Sequence, residues 1–398
     1  MLQLTPSFAD SSYTRAQVLR ALSPVFFYFF VGGIATVMLG PLLPALIARW
    51  RIQDAQAGTL FATMFAGQLC GAWIATHNLR ASVLYGAWIS AAGCVLMVWT
   101  DFEIAHVALF CVGLGLGAGL TAGNVIAGTL IPAIRTRLIA VLNVAWGVGA
   151  IACSLLVRAC GPGRVKLFFL VLASCLTLSA IFSYWLPRAS RTEAELQQEN
   201  SPTKRRVPMP LLSLLLFSAA MLLFIGIENA LGGWLPSYGI RTSSALLASS
   251  IALYFWVAEM TGRMLLAALT NLLGEAVLYR GSIMLLIFTE VILSFTKHPG
   301  AAGVVALTIL SGLALAPIYP LILSFFLART GNHPRLGPVF ALASIGGATI
   351  PWLTGVVSTH FDGLRAGLAV PAAGAVLLLL LSPEITRRLK NPLASVAS

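Results

Sequence analysis

Ile225-Gly226-Ile227-Glu228-Asn229-Ala230-Leu231-Gly232-Gly233-Trp234-Leu235-Pro236-Ser237-Tyr238 closes an apolar run that begins near Met209. A carboxylate, an amide, two adjacent glycines and a tryptophan are set into a stretch long enough to cross a bilayer. At the depth of a membrane helix a carboxylate costs roughly 2.5–3.5 kcal/mol on insertion scales, so it normally faces a wet cavity and serves a function. Gly232 and Gly233 loosen the helix just after the acid and Pro236 loosens it again, which predicts a broken helix beside a binding site. Glu228 is therefore the expected chemical centre.

The rest of the chain supports a membrane reading. Of 398 residues 58% are hydrophobic and only 10% charged, where a soluble chain carries about a quarter charged residues; the mean hydropathy is +0.90. A net charge of +12 would suggest nucleic acid in a soluble protein. Here the basic residues stand singly or in small groups between apolar runs, so the charge is topological and no nucleic-acid partner is expected. Cys70, Cys94, Cys111, Cys153, Cys160 and Cys175 show no CxxC spacing and read as small buried hydrophobes. His77, His106, His298, His333 and His360 are scattered, and no metal or other cofactor is expected.

After a polar tail over 1–17, runs of spanning length fall at about 18–47, 55–76, 82–100, 104–131, 137–158 and 166–186. A hydrophilic linker, 187–208, separates them from six more at about 209–238, 243–269, 276–296, 301–328, 335–359 and 364–382, and a basic tail occupies 383–398. The expected fold class is an all-α polytopic membrane protein with 12 transmembrane helices in two six-helix bundles, 18–186 and 209–382. With both termini and the linker placed in the cytoplasm, sixteen of the 25 Lys and Arg residues lie on that side and eight on the other, Arg263 being intramembrane. The first run is too long for a cleaved signal and is expected to be retained, so the chain is an integral protein of the plasma (inner) membrane.

The halves echo each other. Setting Leu43-Pro44 on Leu235-Pro236 aligns Gly40 with Gly232 and Thr36 with Glu228. The ladder Gly113, Gly115, Gly117, Gly119 falls opposite Gly312, Ala314, Ala316, and Gly149-Ala150 opposite Gly347-Ala348. The ladder lacks GxGxxG spacing after a strand, so it is read as helix packing and not as a dinucleotide site. Two similar six-helix halves related by an axis along the membrane normal are a transporter architecture.

Six spans, a basic linker and six spans resemble the major facilitator superfamily, and local segments resemble its fucose permease branch of sugar symporters. These are Gly226-Ile227-Glu228 with Gly232-Gly233-Trp234-Leu235, Phe255-Trp256 with Gly262-Arg263-Met264-Leu265, Gly312 through Pro320, and Gly346 through Gly355. The resemblance implies alternating access between two bundles and proton-coupled movement of a small hydroxylated solute, a monosaccharide. The fucose permease looks to acids in its first and fourth helices for coupling, where this chain has Thr36 and Asn124, so coupling is expected to fall on Glu228. Sodium is the alternative ion. Ala75 stands where the superfamily's loop motif has an aspartate, and the fourth helix lacks an arginine, which weighs against multidrug export.

For substrate contacts the residues selected are Gln68, Asn124, Asn143, Trp146, Asn229 and Tyr319. Amides offer the paired donors and acceptors a sugar needs, Trp146 shares a helical face with Asn143, and Tyr319 lies between Pro317 and Pro320, whose freed carbonyls call for a cavity or a neighbour. Packing and interhelical hydrogen bonds are the competing readings. Glu259 and Arg263, four apart, are expected to be a gating or structural pair near the cytoplasmic end. Glu290 is expected to snorkel toward the outer interface. The expected partners are a small-molecule substrate and membrane lipids, with the chain a monomer. An exporter of another metabolite is the alternative within transport; an enzyme would need clustered acids or histidines, and a sensor a longer tail.

Overall fold

A computed structural model describes residues 15–75, 78–130, 135–161, 163–186, 211–297, 299–330, 336–361 and 363–387. The expected linker, most of both tails, and His77, His298 and His333 lie outside the described residues. The first half consists of α1 (Arg15–Val37), α2 (Leu39–Trp50), α3 (Asp54–Ile74), α4 (Leu79–Leu96), α5 (Phe102–Leu130), α6 (Arg135–Cys160) and α7 (Val165–Ser183). The second half has α8 (Leu211–Thr242), α9 (Ala248–Leu273), α10 (Glu275–Phe295), α11 (Gly300–Leu315), α12 (Ile318–Thr330), α13 (Leu336–His360), α14 (Leu364–Gly367) and α15 (Ala369–Thr386). Counting α1–α2, α11–α12 and α14–α15 as one traverse each, the described helices make twelve.

Among the described residues nine traverses are long and apolar enough to cross a bilayer, and the pair α1–α2, bent by 41°, makes a tenth. Helices α9 and α13 pack across the seam, α9 against α2 and α6 and α13 against α3; α9 carries Glu259 and Arg263. Exposed aromatic side chains band both ends, with Trp73 and Trp185 at the end where α7 finishes and Trp99, Phe295 and Phe361 at the other, as expected at membrane–water boundaries.

Packing repeats between the halves. α1 lies on α6 as α8 lies on α13, α3 on α5 as α9 on α11, and α4 on α7 as α10 on α15. Across the seam α3 meets α13, and its counterpart pair α9 and α6 also meet. A Cβ added to Gly149 would meet Phe30 of α1, and one added to Gly346 would meet Leu222 of α8. Since Phe30 and Leu222 are 192 positions apart, like Gly40 and Gly232, the structural counterpart of Gly149 is Gly346. The sequence alignment to Gly347 is one residue off. Gly347 packs under the Phe65 ring of the opposite bundle instead.

The ladder on α5 is a contact surface, as expected. Gly113 and Gly117 face the backbone of α3 at Met64 and Gln68, while Gly115 and Gly119 face α4 and Tyr28. Tyr28 Oη donates to the Gly115 carbonyl at 2.7 Å. Of the cysteines, Cys94, Cys153 and Cys160 are buried, whereas Cys70 is exposed; all six are free thiols.

The expected break in α8 is absent. The helix runs unbroken through Gly232, Gly233 and Pro236. The glycines serve close approach: the Gly232 carbonyl points at Gly40 of α2, and Gly233 lies under the Phe61 ring of α3. Pro236 has no N–H to offer that carbonyl, so the position left without an intrahelical donor is the one facing the bundle seam. Chain breaks occur instead at Met38, between α1 and α2, and at Ala316-Pro317, between α11 and α12.

Candidate functional site

Glu228 lies midway along α8 and is 4% exposed. It does not stand alone: Arg263 Nη2 donates to Glu228 Oε1 at 2.8 Å and also pairs with Glu259 one turn back on α9. Glu259 and Arg263 were expected near one membrane face, apart from Glu228. The long guanidinium arm instead carries Arg263 to the depth of Glu228, and all three belong to one buried group. Glu259 is 1% exposed, and its Oε2 and the Arg263 Nε have no hydrogen-bond partner. Two carboxylates share one guanidinium, and desolvated charge is costly unless balanced. One proton on either acid makes the group neutral.

Tyr319, at the start of α12, stands close enough for Arg263 and Glu228 both to act electrostatically on its phenol. Its ring also packs on Phe224 with centroids 5.7 Å apart.

One residue past Glu228, Asn229 lines a narrow cavity of ≈ 10 Å³ between the bundles, with Thr36, Gly40 and Phe61 on one side and Gly232 and Trp256 on the other. Asn229 Nδ2 donates to Ile225 O at 2.8 Å, which turns its carbonyl oxygen away from its own helix turn. Thr36 Oγ1 donates to Gly32 O at 2.7 Å, leaving lone pairs free. Thr36 is the internal counterpart of Glu228, so the two halves contribute a hydroxyl and an acid at equivalent heights. The volume is below the roughly 300–1,000 Å³ of ligand pockets; the bundles are drawn together around it.

The other selected residues distribute as follows. Trp146 backs the cavity, its ring edge-on to Trp256 at 5.7 Å and 83°. Asn143, one turn earlier on α6, is half-buried and donates to Ile139 O at 2.9 Å. Gln68 Nε2 and Asn124 Oδ1 are buried without partners, yet neither lines the cavity. Gly117 is level with Gln68 on the parallel pair α3 and α5, so Asn124 lies about 10 Å further along the axis. The structure thus gathers Glu228, Asn229, Trp146, Tyr319, Glu259 and Arg263 and leaves Gln68, Asn124 and Asn143 outside. Of the remaining tryptophans, Trp234 is fully buried and donates to Pro351 O at 2.9 Å, and Trp352 is 38% exposed. Glu290 does not snorkel: it is 0% exposed and both its oxygens lack partners, because its face of α10 packs inward.

A second charged group joins the bundles about 20 Å from Glu228 along α8. Arg241, in its last turn, forms a bidentate pair with Asp54 in the first turn of α3, at 2.7 and 2.6 Å. Ser358 of α13 donates to Asp54 Oδ2 at 2.5 Å, and the Ala55 N–H donates to Thr359 Oγ1 at 2.8 Å. Sequence reading missed this group, since Asp54 and Arg241 look like ordinary loop-edge charges. It missed Trp256 as a cavity residue too; the only signal was its place in the Phe255-Trp256 segment.

Residues 25–336 match the Major Facilitator Superfamily. Among characterised relatives, "Bypass of stop codon protein 6" of Saccharomyces cerevisiae is 24% identical over 382 residues, covering 85% of this chain and 76% of its own length. The glucose/mannose transporter GlcP of Bacillus subtilis is 24% identical over 386 residues, covering 90% and 93%. Among solved structures, the D-xylose-proton symporter superposes with a TM-score of 0.72 at 15% identity, over 93% of this chain and 98% of that one. FucP in its outward conformation gives 0.62 at 17%, over 92% and 99%. A bacterial homologue of the human lysosomal transporter Spinster, inward-facing and occupied, gives 0.73 at 14%, over 96% and 100%. Together with the twelve traverses and the repeated packing, the match over most of its length makes this chain an integral membrane protein of the Major Facilitator Superfamily, a transporter and not an enzyme.

Proposed function

We propose that this transporter moves a small neutral hydroxylated solute, a monosaccharide, together with a proton by alternating access. The observation that carries the reading is the buried group Glu228–Arg263–Glu259, one residue from an interbundle cavity whose own polar groups are uncharged. A neutral solute fits such a lining, because an ion there would lack a counter-charge. The names of GlcP and the xylose symporter point the same way.

In this mechanism Glu228 does not act as a lone acid. Arg263 holds it while ionised; a proton on the two-acid group removes the net charge that would resist passage of the seam, and the loaded carrier reorients. The Asp54–Arg241 contact closes one end of the cavity. With both termini in the cytoplasm of the plasma (inner) membrane, that end is the outer one. A monomer suffices, since both halves of the cavity come from one chain, and no cofactor beyond the coupling ion is needed. Sodium in place of the proton, or export of another metabolite, is the second outcome the same test can return.

The test is uptake of labelled D-glucose, D-mannose, D-xylose and L-fucose into proteoliposomes with and without an inward proton gradient. Accumulation of at least one sugar that depends on the gradient is expected. Glu228→Gln should lose accumulation and keep sugar exchange. Accumulation driven by sodium alone, or no uptake of any of the four, would contradict the proposal.

A further inference from the structure

Trp256 is 2% exposed and lines the interbundle cavity, yet its indole Nε1 has no hydrogen-bond partner. A buried donor without an acceptor forfeits a hydrogen bond that it had in water, so such groups usually mark a partner that comes and goes. A Cβ added to Gly232 would lie 2.8 Å from Trp256 Cζ2 and 3.5 Å from Cη2, so the benzo edge of the indole packs against Gly232. Trp146 and Phe255 hold the ring from two sides, at 5.7 and 5.0 Å between centroids, both near perpendicular. Opposite it stand two groups that offer acceptor oxygens: Thr36, whose hydroxyl hydrogen is used toward Gly32 O, and Asn229, which spends one of its two N–H donors on Ile225 O.

We infer that Trp256 is a substrate-contacting residue: its N–H donates to a hydroxyl oxygen of the solute, while the same hydroxyl donates to Asn229 or Thr36. A hydroxyl both accepts and donates, which matches the Trp256 N–H facing the Thr36 and Asn229 oxygens; an ionised carboxylate would have no hydrogen to give those oxygens. Trp146 is a positioning residue that keeps the indole edge-on to the cavity. Gly232 has to lack a side chain, since a Cβ there would lie 2.8 Å from Trp256 Cζ2 and displace the ring. The inference rests on the transport reading above and deepens it by naming the donor and the group it selects.

The test is equilibrium binding to the purified full-length chain, using whichever of D-glucose, D-mannose, D-xylose and L-fucose binds best, together with its monodeoxy analogues. Trp256→Phe keeps one aromatic ring and removes the N–H with the rest of the indole; thermal unfolding of the detergent-solubilised variant shows that it folds. It should weaken the parent sugar about 5- to 10-fold. For one monodeoxy analogue, the one lacking the contacted hydroxyl, it should change nothing. Trp256→His, which keeps a ring N–H, should bind the parent more tightly than Trp256→Phe. An equal loss across the parent and every analogue would overturn the assignment while leaving sugar transport standing. Absence of binding by the unaltered chain to all four sugars would overturn both.

Discussion

Two carboxylate–arginine groups sit on α8, about 20 Å apart, and they differ in what they join. Glu228, Arg263 and Glu259 all belong to the second bundle, on α8 and α9. Asp54 belongs to the first bundle and Arg241 and Ser358 to the second. An ion pair inside one rigid body survives any rocking of the bundles, so it can store charge through a transport cycle but cannot report which way the cavity faces. An ion pair across the seam must break whenever the seam opens at its end, so it sets a conformational balance and cannot carry a proton through. In the proposed mechanism the same chemistry serves two tasks because of where the bundle boundary falls.

The depth of the two groups sharpens the contrast. Side-chain exposure is 17% and 6% for Arg263 and Glu228, against 42% for Arg241 beside a 10% Asp54. Removing one partner of a buried pair leaves an unpaired buried charge, whereas a pair open to water loses less. The largest expected effect is therefore from Arg263→Met. It leaves two carboxylates facing each other and should destabilise the protein by about 3–5 kcal/mol, seen as a clear fall in the thermal unfolding midpoint in detergent. Adding Glu228→Gln to that variant should recover part of the loss; no recovery would mean that the two residues are not coupled.

Asp54→Asn should leave the unfolding midpoint nearly unchanged. It should move the balance of open and closed states by about 1 kcal/mol, roughly five-fold. Spin labels at Ile104 and Phe361, exposed on opposite bundles at that end, would measure it as a larger population of long distances. An unchanged distance distribution would remove Asp54 from any gating role. Gly40→Ala acts between the two groups. A Cβ there would meet the Gly232 carbonyl, so the variant should resist full closure and slow sugar exchange several-fold with folding intact. At the bottom of the scale, Glu384 pairs with Arg387 at 3.6 Å with both side chains more than 60% exposed. Glu384→Ala should change neither unfolding nor transport measurably.

What could be read in the sequence follows the reach of each signal. Spans were legible because twenty apolar residues need no partner to be recognised, and the internal repeat was legible from its matched glycines and prolines. Glu228 stood out because a charge in an apolar run is rare. Arg263 could not be assigned to it, because the two are 35 positions apart and only the register of α9 against α8 brings them together. The glycines after Glu228 have the same composition whether they break a helix or admit a neighbour. Gly40 on the facing helix decided for the neighbour. The slip from Gly346 to Gly347 came from aligning motifs across connections of unequal length, and Glu290 was misplaced because burial on a peripheral helix depends on which face its neighbours cover. Gln68, Asn124 and Asn143 had the right chemistry for a sugar, but none of them lines the cavity, which residue type alone does not reveal.

The most direct measurement takes proton entry and sugar entry together in the same proteoliposomes, with a trapped pH-sensitive dye and labelled sugar, for the unaltered chain, Glu228→Gln and Asp54→Asn. The account predicts a fixed number of protons per sugar for the unaltered chain, the same number at an altered rate for Asp54→Asn, and sugar exchange without proton entry for Glu228→Gln. Proton entry that persists in Glu228→Gln in the original ratio, or that is lost in Asp54→Asn while sugar still moves, would contradict it.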